Sequence, residues 1–338
     1  MNILITGGAG FIGSNLADKL LEQGHDVFIV DDLSTGRQEN IDWINSRSAP
    51  AWGVWGRHLC VDISKSFRSQ RHGLSLRSQI DSYLQGKKID QIYHLACPAS
   101  PPKYYKNPLK TLDINYIGTK NVLEVAKKHK ARILFTSTSE IYGDPLDHPQ
   151  PETYNGNVDP ISPRSVYDEG KRVAETLVSQ YHRTYGLETK IARVFNTYGP
   201  RMDPDDGRVV TNFIKQALNR NLPEVYGDGQ QTRSFCYVDD QVSGLIILMN
   251  SNEFINEPVN IGNNHEIKII ELLNEICYQI FKKDENCAVH KDLPVSDPKR
   301  RCPDLAKMKS IGWHPQIQLR EGIQKTIQYI KEELNEKD

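Results

Sequence analysis

The sequence carries no excess charge of either sign, no long apolar run and no paired cysteines. Its 42 lysines and arginines are balanced by 43 aspartates and glutamates, which gives a formal net charge of -1 at pH 7. Because there is no broad positive field, we expect neither nucleic acid nor an anionic membrane as a partner. An anionic ligand would have to be held by a few local groups.

Membrane-spanning and disulfide-bonded classes of protein are also disfavoured. No stretch of the sequence approaches the roughly 18 apolar residues that a membrane helix needs, and the first strand, Ile3–Ile5, starts too early to leave room for a signal peptide. The six cysteines form neither a C-x-x-C pair nor a cluster of metal-ligand spacing. We therefore expect a cytoplasmic protein with reduced thiols and no metal ion.

Short β-branched runs alternate with amphipathic stretches over the first two thirds of the chain. This alternation predicts an α/β fold, a Rossmann-like doubly wound parallel sheet with helices on both faces. The runs are continuously apolar, as parallel strands buried on both faces should be. The predicted strands are Ile3–Ile5, Val27–Val30, Gln91–Leu95, Ile133–Phe135 and Thr189–Val194, and the predicted helices are Ser14–Gln23, about Leu112–Lys130 and about Val166–Tyr185.

The last third has shorter segments, with helices predicted near Glu266–Phe281 and at about Leu319–Leu334. We expect residues 1–197, with about 237–285 returning to the sheet, to form the larger, Rossmann-like domain. Residues at about 198–236 and 286–338 would form a smaller C-terminal substrate-binding domain. The polar stretch Ser64–Lys88, which follows the unusual Ala51–Trp55, is interpreted as a surface insertion.

A glycine-rich turn, Gly7-Gly8-Ala9-Gly10-Phe11-Ile12-Gly13, follows the first strand and opens the first helix. Glycines at this spacing allow a tight turn, close approach of a pyrophosphate and close packing of helix on sheet. The motif is weak evidence by itself, but Asp31 ends the second strand, where a carboxylate accepts both ribose hydroxyls and repels a 2′-phosphate. We therefore predict that the larger domain is an NAD-binding domain, for NAD rather than NADP, and the nearby Arg37 is the feature that complicates the choice.

The predicted cofactor site extends over several loops. Asp62 and Ile63, after the third strand, are expected at the adenine, with a loop-capping role for Asp62 as the alternative. The predicted NAD contacts are Gly7, Gly10, Phe11, Ile12, Asp31, Asp32, Leu33, Thr35, Gly36, Asp62, Ile63, Leu95 and Cys97, together with Tyr167 and Lys171.

Tyr167 and Lys171 stand four residues apart, so on a helix they share one face. A phenol is a poor base at pH 7, and a neighbouring cation favours the phenolate. The pair predicts that Tyr167 takes a proton from a sugar hydroxyl as a hydride leaves for NAD, while Lys171 also holds the nicotinamide ribose. Without the glycine-rich turn, the pair would indicate only an ordinary amphipathic helix.

Hydroxyl side chains follow the strand that contains Phe135, at its carboxyl end, where ligands bind in an open α/β sheet. We expect Thr138 to orient Tyr167 and the substrate oxygen. Ser139 and Glu140 are expected to face the sugar. For Glu140, a helix cap or a solvated acid is the alternative.

Together these motifs resemble the extended short-chain dehydrogenases that act on nucleotide sugars, and longer stretches resemble the UDP-glucuronate decarboxylases, or UDP-xylose synthases, among them. The likeness covers nearly the whole chain and fails at about residues 45–88, where this chain is longer than the family pattern. The similar stretches are His94–Pro102, Ser137–Pro145, His148–Gln150, Pro163–Arg164, Tyr167–Glu175, Asn196–Met202, Asp206–Val210, Gly229–Arg233 and Asp297–Asp304.

The resemblance implies a reaction. Tyr167 and NAD would oxidise C4 of UDP-glucuronate, CO2 would leave the resulting β-keto acid, and UDP-xylose would form. Family members are usually homodimers joined through helices such as those at about Leu112–Lys130 and Val166–Tyr185.

The resemblance also implies substrate ligands. It assigns Arg301, with Arg300 as the alternative, to the glucuronate carboxylate or the enolate oxygen. A solvated basic run is the other interpretation of these arginines. For the UDP half it suggests Asn196, Arg208, Tyr226 and Arg233, and Arg208 could instead act near NAD.

Other activities stay open at this point. Sugar 4,6-dehydratases carry an Asp-Glu pair after the threonine and 4-epimerases lack the acid, whereas this chain has Ser139-Glu140. A decarboxylase that releases the 4-keto pentose would share all of these residues. A non-enzymatic NAD-sensing protein is the alternative from another class, although such proteins often lose the Tyr or the Lys that are both present here.

Overall fold

The computed structural model describes residues 1–42, 56–65, 76–282, 288–292 and 300–335. A seven-stranded sheet of order β11-β6-β5-β4-β1-β2-β3 lies at the centre, and all of its pairings are parallel. The predicted Rossmann-like α/β class is therefore confirmed. Its strands are Asn2–Thr6 (β1), Asp26–Val30 (β2), Gly56–Leu59 (β3), Gln91–His94 (β4), Arg132–Thr138 (β5), Thr189–Val194 (β6) and Pro258–Ile261 (β11).

The order of the strands fixes where a ligand binds. The chain passes from β1 through β2 to β3 on one side, and then crosses to place β4 on the other side of β1. Such a reversal opens a crevice at the carboxyl ends of the two neighbouring strands. Gly7 follows β1 and Leu95 follows β4, so both lie at this crevice.

Helices cover both faces of the sheet because alternate strand residues point to opposite sides. Ile3 and Ile5 join one apolar core with helices from the first and last thirds of the chain, whereas Leu4 joins a second core on the opposite face. The helices are Phe11–Glu22 (α1), Leu76–Leu84 (α2), Pro101–Lys106 (α3), Pro108–Asp113 (α4), Thr119–His129 (α5), Ser165–Tyr185 (α6), Val209–Leu218 (α7), Val238–Asn250 (α8), Ile269–Phe281 (α9), Ala306–Ser310 (α10) and Leu319–Asn335 (α11).

The interpretation of Ser64–Lys88 as a surface insertion is wrong for its C-terminal half. Helix α2 buries Leu76, Ile80 and Leu84, spaced by four residues, in the second core. These side chains form one stripe on a helix, and that stripe supplies the apolar area that holds α2 against the sheet. Ala51–Trp55 and residues 66–75 lie outside the described residues.

Two predicted helices differ from the observed elements. The helix expected at about Leu112–Lys130 comprises α4, a π-helical turn at Ile114–Gly118 and α5. The stretch expected to be helical from Glu266 begins with a short strand, Glu266–Lys268 (β12), and α9 starts only at Ile269.

Short strands outside the main sheet cover the crevice. Thr232–Ser234 (β9) lies between β12 and Arg300–Arg301 (β14) in a three-stranded sheet. After α8, the chain returns to the main sheet as its edge strand β11. The remaining short strands are Thr197–Tyr198 (β7), Glu224–Tyr226 (β8), Cys236–Tyr237 (β10) and Val289–Lys291 (β13), which pair as β7 with β10 and β8 with β13.

No helix in the described ranges is long and apolar enough to cross a bilayer. The five cysteines that lie in these ranges are free thiols, and no group of three or more His, Cys, Asp or Glu side chains there could hold a metal ion.

Candidate active site

A cavity of about 680 Å³ runs along the carboxyl ends of the strands. It begins at the glycine-rich turn, passes Tyr167 and ends at Arg233 and Arg301 under the short strands. A smaller cavity of about 70 Å³ adjoins it and is lined by Asp31, Asp62 and their neighbours. The two share Gly7, Gly10, Thr35, Leu95 and Cys97, so they adjoin along the predicted cofactor site. Leu33, also predicted as a cofactor contact, lines neither cavity and packs against the first core instead.

The glycine-rich turn has no room for side chains. A Cβ on Gly13 would lie 2.2 Å from the carbonyl oxygen of Gly7, and one on Gly7, which has φ +74°, would lie 2.7 Å from the backbone nitrogen of Ala96. Gly10 and the first residues of α1 line the large cavity. Bare backbone at a helix N-terminus is what a dinucleotide pyrophosphate requires, so these residues fit a dinucleotide cofactor.

Asp31 follows β2 and ties the cofactor loops together. Its carboxylate accepts the backbone N–H of Ala9 at 2.9 Å and that of Leu33 at 2.9 Å. Burial raises the pKa of Asp31, while these two hydrogen bonds act in the opposite direction. Because each carboxylate oxygen has a second lone pair, the same group can also accept ribose hydroxyls.

Asp32 and Asp62 share a cation that sequence reasoning missed. Lys110 Nζ, on α4, lies 2.8 Å from Asp32 Oδ2 and 3.4 Å from Asp62 Oδ2. Asp62 also accepts the backbone N–H and hydroxyl of Ser64. The loop-capping alternative for Asp62 thus has structural support, and Asp62 and Ile63 also line the smaller cavity.

Tyr167 and Lys171 lie on α6, both buried and both lining the large cavity. Lys171 Nζ donates to the carbonyl oxygen of Thr136 at 2.8 Å and lies 5.9 Å from the centroid of the Tyr167 ring. The Tyr167 ring stacks on Tyr104, with centroids 5.3 Å apart. These contacts fix the direction in which the phenol enters the cavity.

The pKa of the phenol differs from the expectation. Burial raises the pKa of Tyr167 well above its usual value, although a hydrogen bond with Thr138 and the charge of Arg208 act in the opposite direction. Burial also lowers the pKa of Lys171. The expectation that a neighbouring ammonium lowers the phenol pKa is therefore not met here, because burial outweighs the cations around it.

Thr138 and Ser139 end β5 at the centre of the crevice. The Thr138 hydroxyl caps the short 3₁₀ turn Ser139–Tyr142 by accepting the backbone N–H of Glu140 at 3.2 Å. Ser139 is buried and, like Thr138, lines the large cavity. The turn therefore points Thr138, Ser139 and Glu140 to the same space as Tyr167.

Glu140 is clamped by two arginines. Arg301 binds it in a bidentate pair, with Nη1 to Oε1 at 2.5 Å and Nη2 to Oε2 at 3.0 Å, and Arg164 Nη2 reaches Oε2 at 2.6 Å. Burial alone would raise the pKa of Glu140, but the charges of Arg301 and Arg164 outweigh it and lower the value. A cap or a solvated acid, the alternative for Glu140, is thus not what the structure shows, since the carboxylate is held by both arginines as a half-buried anion.

The four residues expected at the UDP half all line the cavity: Asn196, Arg208, Tyr226 and Arg233. Arg233 is buried beside Arg301, its register partner in the parallel pairing of β9 with β14. Arg208 forms a two-point ion pair with Asp206. Arg208 and Tyr167 also act on each other's pKa through their charges, so Arg208 lies nearer the phenol than the UDP assignment implied. Arg300 is exposed, so of these two neighbouring arginines Arg301 is the one that lines the cavity.

Sequence reasoning missed three residues of the site, namely Arg164, Tyr104 and Lys110. Arg164 was present in a quoted family stretch, but its partner Glu140 is 24 positions away, and no spacing rule connects them. The tyrosines beside lysines in the run Pro101–Lys106 could have predicted an aromatic wall of the site.

Comparison with known proteins places this arrangement in a family. Residues 4–326 match the family model described as GDP-mannose 4,6 dehydratase. UDP-glucuronic acid decarboxylase 3 of Arabidopsis thaliana is 50% identical over 96% of this chain and 87% of its own. UDP-glucuronic acid decarboxylase 1 of Xenopus tropicalis is 47% identical over 98% of this chain and 72% of its own.

The chain belongs to the UDP-glucuronic acid decarboxylase family. Solved structures of the wider group agree with the fold of this decarboxylase family member. UDP-glucose 4-epimerase from Thermotoga maritima, solved with UDP-glucose, has a TM-score of 0.83 at 30% identity and covers 99% of this chain and 100% of its own. UDP-glucose 4-epimerase from Thermus thermophilus, solved with NAD, has a TM-score of 0.80 at 27% identity and covers 98% and 99%.

Proposed function

We propose that this chain converts UDP-glucuronate to UDP-xylose and CO2 through a 4-keto sugar intermediate, with bound NAD as cofactor and Tyr167 as base. The observation that carries the proposal is the continuity of one cavity, from the glycine-rich turn past Tyr167 to the arginine-clamped Glu140. The family relatives named for the same activity support it. The glycine-rich turn and Asp31 would hold NAD, which would supply reversible hydride transfer at C4 of the sugar.

Tyr167 would accept the proton of the C4 hydroxyl. Thr138 orients the phenol through a hydrogen bond, and Tyr104 supports its ring from one side. Lys171, whose Nζ donates to the Thr136 carbonyl, lies in the same buried space. The burial that raises the phenol pKa also excludes water, which makes each remaining cation more effective.

The arginine pair would serve the decarboxylation step. Loss of CO2 from a β-keto acid leaves an enolate, and its negative charge is stabilised by fixed cations. Arg301 and Arg164 supply two such cations, and Glu140 keeps both in place. Nε of Arg301 is buried and lacks a hydrogen-bond partner among the described residues, so this guanidinium retains a donor for a substrate oxygen.

The UDP half would lie toward β8 and β9. Arg233 supplies the planar, charged donor that suits a pyrophosphate, and Asn196 lies next to it along the cavity wall. Arg208 is assigned to the region between the sugar and the cofactor because its charge acts to lower the pKa of Tyr167.

Product analysis tests this proposal against the other nucleotide-sugar activities. The protein is incubated separately with UDP-glucuronate, UDP-glucose and dTDP-glucose. We expect CO2 and UDP-xylose from UDP-glucuronate alone, without net NADH. Stoichiometric NADH would show that the 4-keto pentose is released, and absence of CO2 would refute the decarboxylase assignment.

A further inference from the structure

An arginine stands directly after the cofactor loop, in the place where NADP-binding folds use one. Arg37 follows Asp31–Gly36, and its backbone N–H donates to the carbonyl oxygen of Ala9 in the glycine-rich turn at 3.0 Å. Arg37 also lines the large cavity beside Gly10 and Thr35. In dinucleotide-binding folds a nearby arginine of this kind accommodates a 2′-phosphate.

The guanidinium of Arg37 is engaged by the C-terminal helix instead. Arg37 Nη2 lies 2.6 Å from Oε2 of Glu333, and Nη1 donates to the Tyr329 hydroxyl at 3.3 Å. That hydroxyl donates in turn to Oε1 of Glu333 at 2.7 Å. We call these three side chains the Arg37 clamp. Tyr329 and Glu333 both belong to α11, and Arg37 Nε also lies 3.7 Å from the exposed carboxylate of Glu39.

The Arg37 clamp is largely shielded from water. The side chains of Arg37 and Glu333 are 16% and 15% exposed. Moving the guanidinium onto a phosphate would leave the Glu333 carboxylate shielded and without this cation, which costs far more than breaking a surface pair. Because Tyr329 and Glu333 lie one helical turn apart, they share one face of α11 and bind the two terminal nitrogens of Arg37 together.

We propose that Glu333 and Tyr329 determine the selection of NAD over NADP, because they prevent Arg37 from binding a 2′-phosphate. This inference rests on the dinucleotide site of the proposed function. Asp31 supplies repulsion at the ribose, and the clamp withholds an adjacent arginine that would offset that repulsion, while Lys110 is engaged by Asp32 and Asp62. Selectivity at the cofactor therefore depends on a helix that is 296 positions away from Arg37 in sequence.

The test measures nucleotide binding and not turnover. Protein stripped of endogenous nucleotide is incubated with equimolar NAD and NADP, and the bound nucleotides are separated and quantified by liquid chromatography. Glu333→Gln should raise the bound NADP:NAD ratio about tenfold, because a charge-assisted hydrogen bond becomes available to the 2′-phosphate. Tyr329→Phe should raise it less.

Two variants control for charge and for the role of Arg37. Glu332→Gln removes the same charge from a neighbouring exposed position of α11 and should leave the ratio unchanged. The double variant Arg37→Met with Glu333→Gln should return the ratio to the wild-type value. Thermal unfolding of each variant checks that α11 remains docked.

The proposal and the cofactor site fail in distinguishable ways. An unchanged ratio in a folded Glu333→Gln variant would overturn the clamp as a selectivity device. An Arg37→Met variant that loses NAD and NADP equally would overturn it too, since Arg37 would then serve the pyrophosphate. Wild-type protein that binds neither nucleotide would refute the cofactor site itself.

Discussion

At the scale of single residues, the Tyr167 hydroxyl carries the proton chemistry of the proposed reaction. Tyr167→Phe keeps the stacked ring but removes the base, so kcat should fall by about 10²–10⁴-fold while NAD retention and the melting temperature stay near wild type. Steady-state kinetics, with bound nucleotide quantified in parallel, checks this. Tyr278→Phe, an exposed phenol on α9, is the matched control and should keep wild-type kcat. Retention of most of the activity in Tyr167→Phe would exclude this residue as the base.

Ionisation of Asp168, the neighbour of Tyr167, makes the stability of the fold depend on pH. Burial and the charge of Glu140 raise the pKa of Asp168 to about 7, and its Oδ1 is buried without a hydrogen-bond partner among the described residues. A carboxyl with a folded-state pKa above its unfolded value of 3.8 destabilises the fold once it is ionised, so stability is lost as the pH rises from about 4 to 7.

Asp168→Asn should therefore unfold at a higher urea concentration than wild type at pH 8, and the difference should shrink at pH 5. Urea midpoints at the two pH values measure it. Glu169→Gln, at the half-exposed neighbouring position, removes the same charge and should show a much weaker trend. A variant that is less stable than wild type by the same amount at both pH values would contradict the assignment.

Single residues were predictable from sequence where the chemistry is local. The glycine-rich turn and the Tyr167–Lys171 pair depend on spacing within one turn or one helix. The contacts of Glu140 with Arg164 and Arg301 join the 3₁₀ turn after β5, the residue before α6 and β14. The Lys110 contact joins α4 to two separate loops, so neither follows from any local pattern. The resemblance to the decarboxylase family supplied Arg301, but it did not supply Arg164 or Lys110.

At the scale of secondary structure, α2 is where the polar sequence was most misleading. Ile80→Ala should lower the free energy of unfolding by about 2–5 kcal/mol, because Ile80 is fully buried against the sheet. Ser82→Ala, on the exposed side of the same helix, should change it by less than about 0.5 kcal/mol. Denaturant titration gives both values. Equal, small effects would restore the surface-insertion interpretation.

Element prediction succeeded where the apolar period was long and uninterrupted. The helix α6 and the strands β1, β2, β4, β5 and β6 fall within a few residues of their predicted bounds. In α2 only three buried apolar positions, spaced by four, lie among Arg, Ser, Gln and Asp, and this weak stripe was masked by the average polarity of the segment. The π-helical turn before α5 has no sequence signature that periodicity would detect.

At the scale of the whole molecule, the homodimer expected from the family stays a proposal with a definite surface. Five apolar side chains are exposed on α4, the π-helical turn and α6, namely Leu109, Leu112, Tyr116, Val173 and Tyr185. Clustered exposed apolar side chains are typical of an association surface, and these elements are the ones through which we expect two copies to pair. The occupant of this face is then a second copy of the same chain.

Leu109→Asp, which places a charge on this face, should convert the dimer to a monomer. Light scattering after size-exclusion chromatography measures the mass. Leu222→Asp is the control, because Leu222 is exposed outside this face. A wild-type protein that is monomeric at micromolar concentration would contradict the dimer, and a dimer that persists in Leu109→Asp would place the interface elsewhere.

The proposed function requires that one cavity holds NAD, the base Tyr167 and the uronic acid of the substrate together. Real-time proton NMR of UDP-glucuronate mixed with the wild-type protein tests it most directly. We expect the uronic acid signals to decay and UDP-xylose signals to rise in equal amount, with CO2 released. Unchanged UDP-glucuronate, or its conversion to a C4 epimer that keeps the carboxylate, would contradict the account.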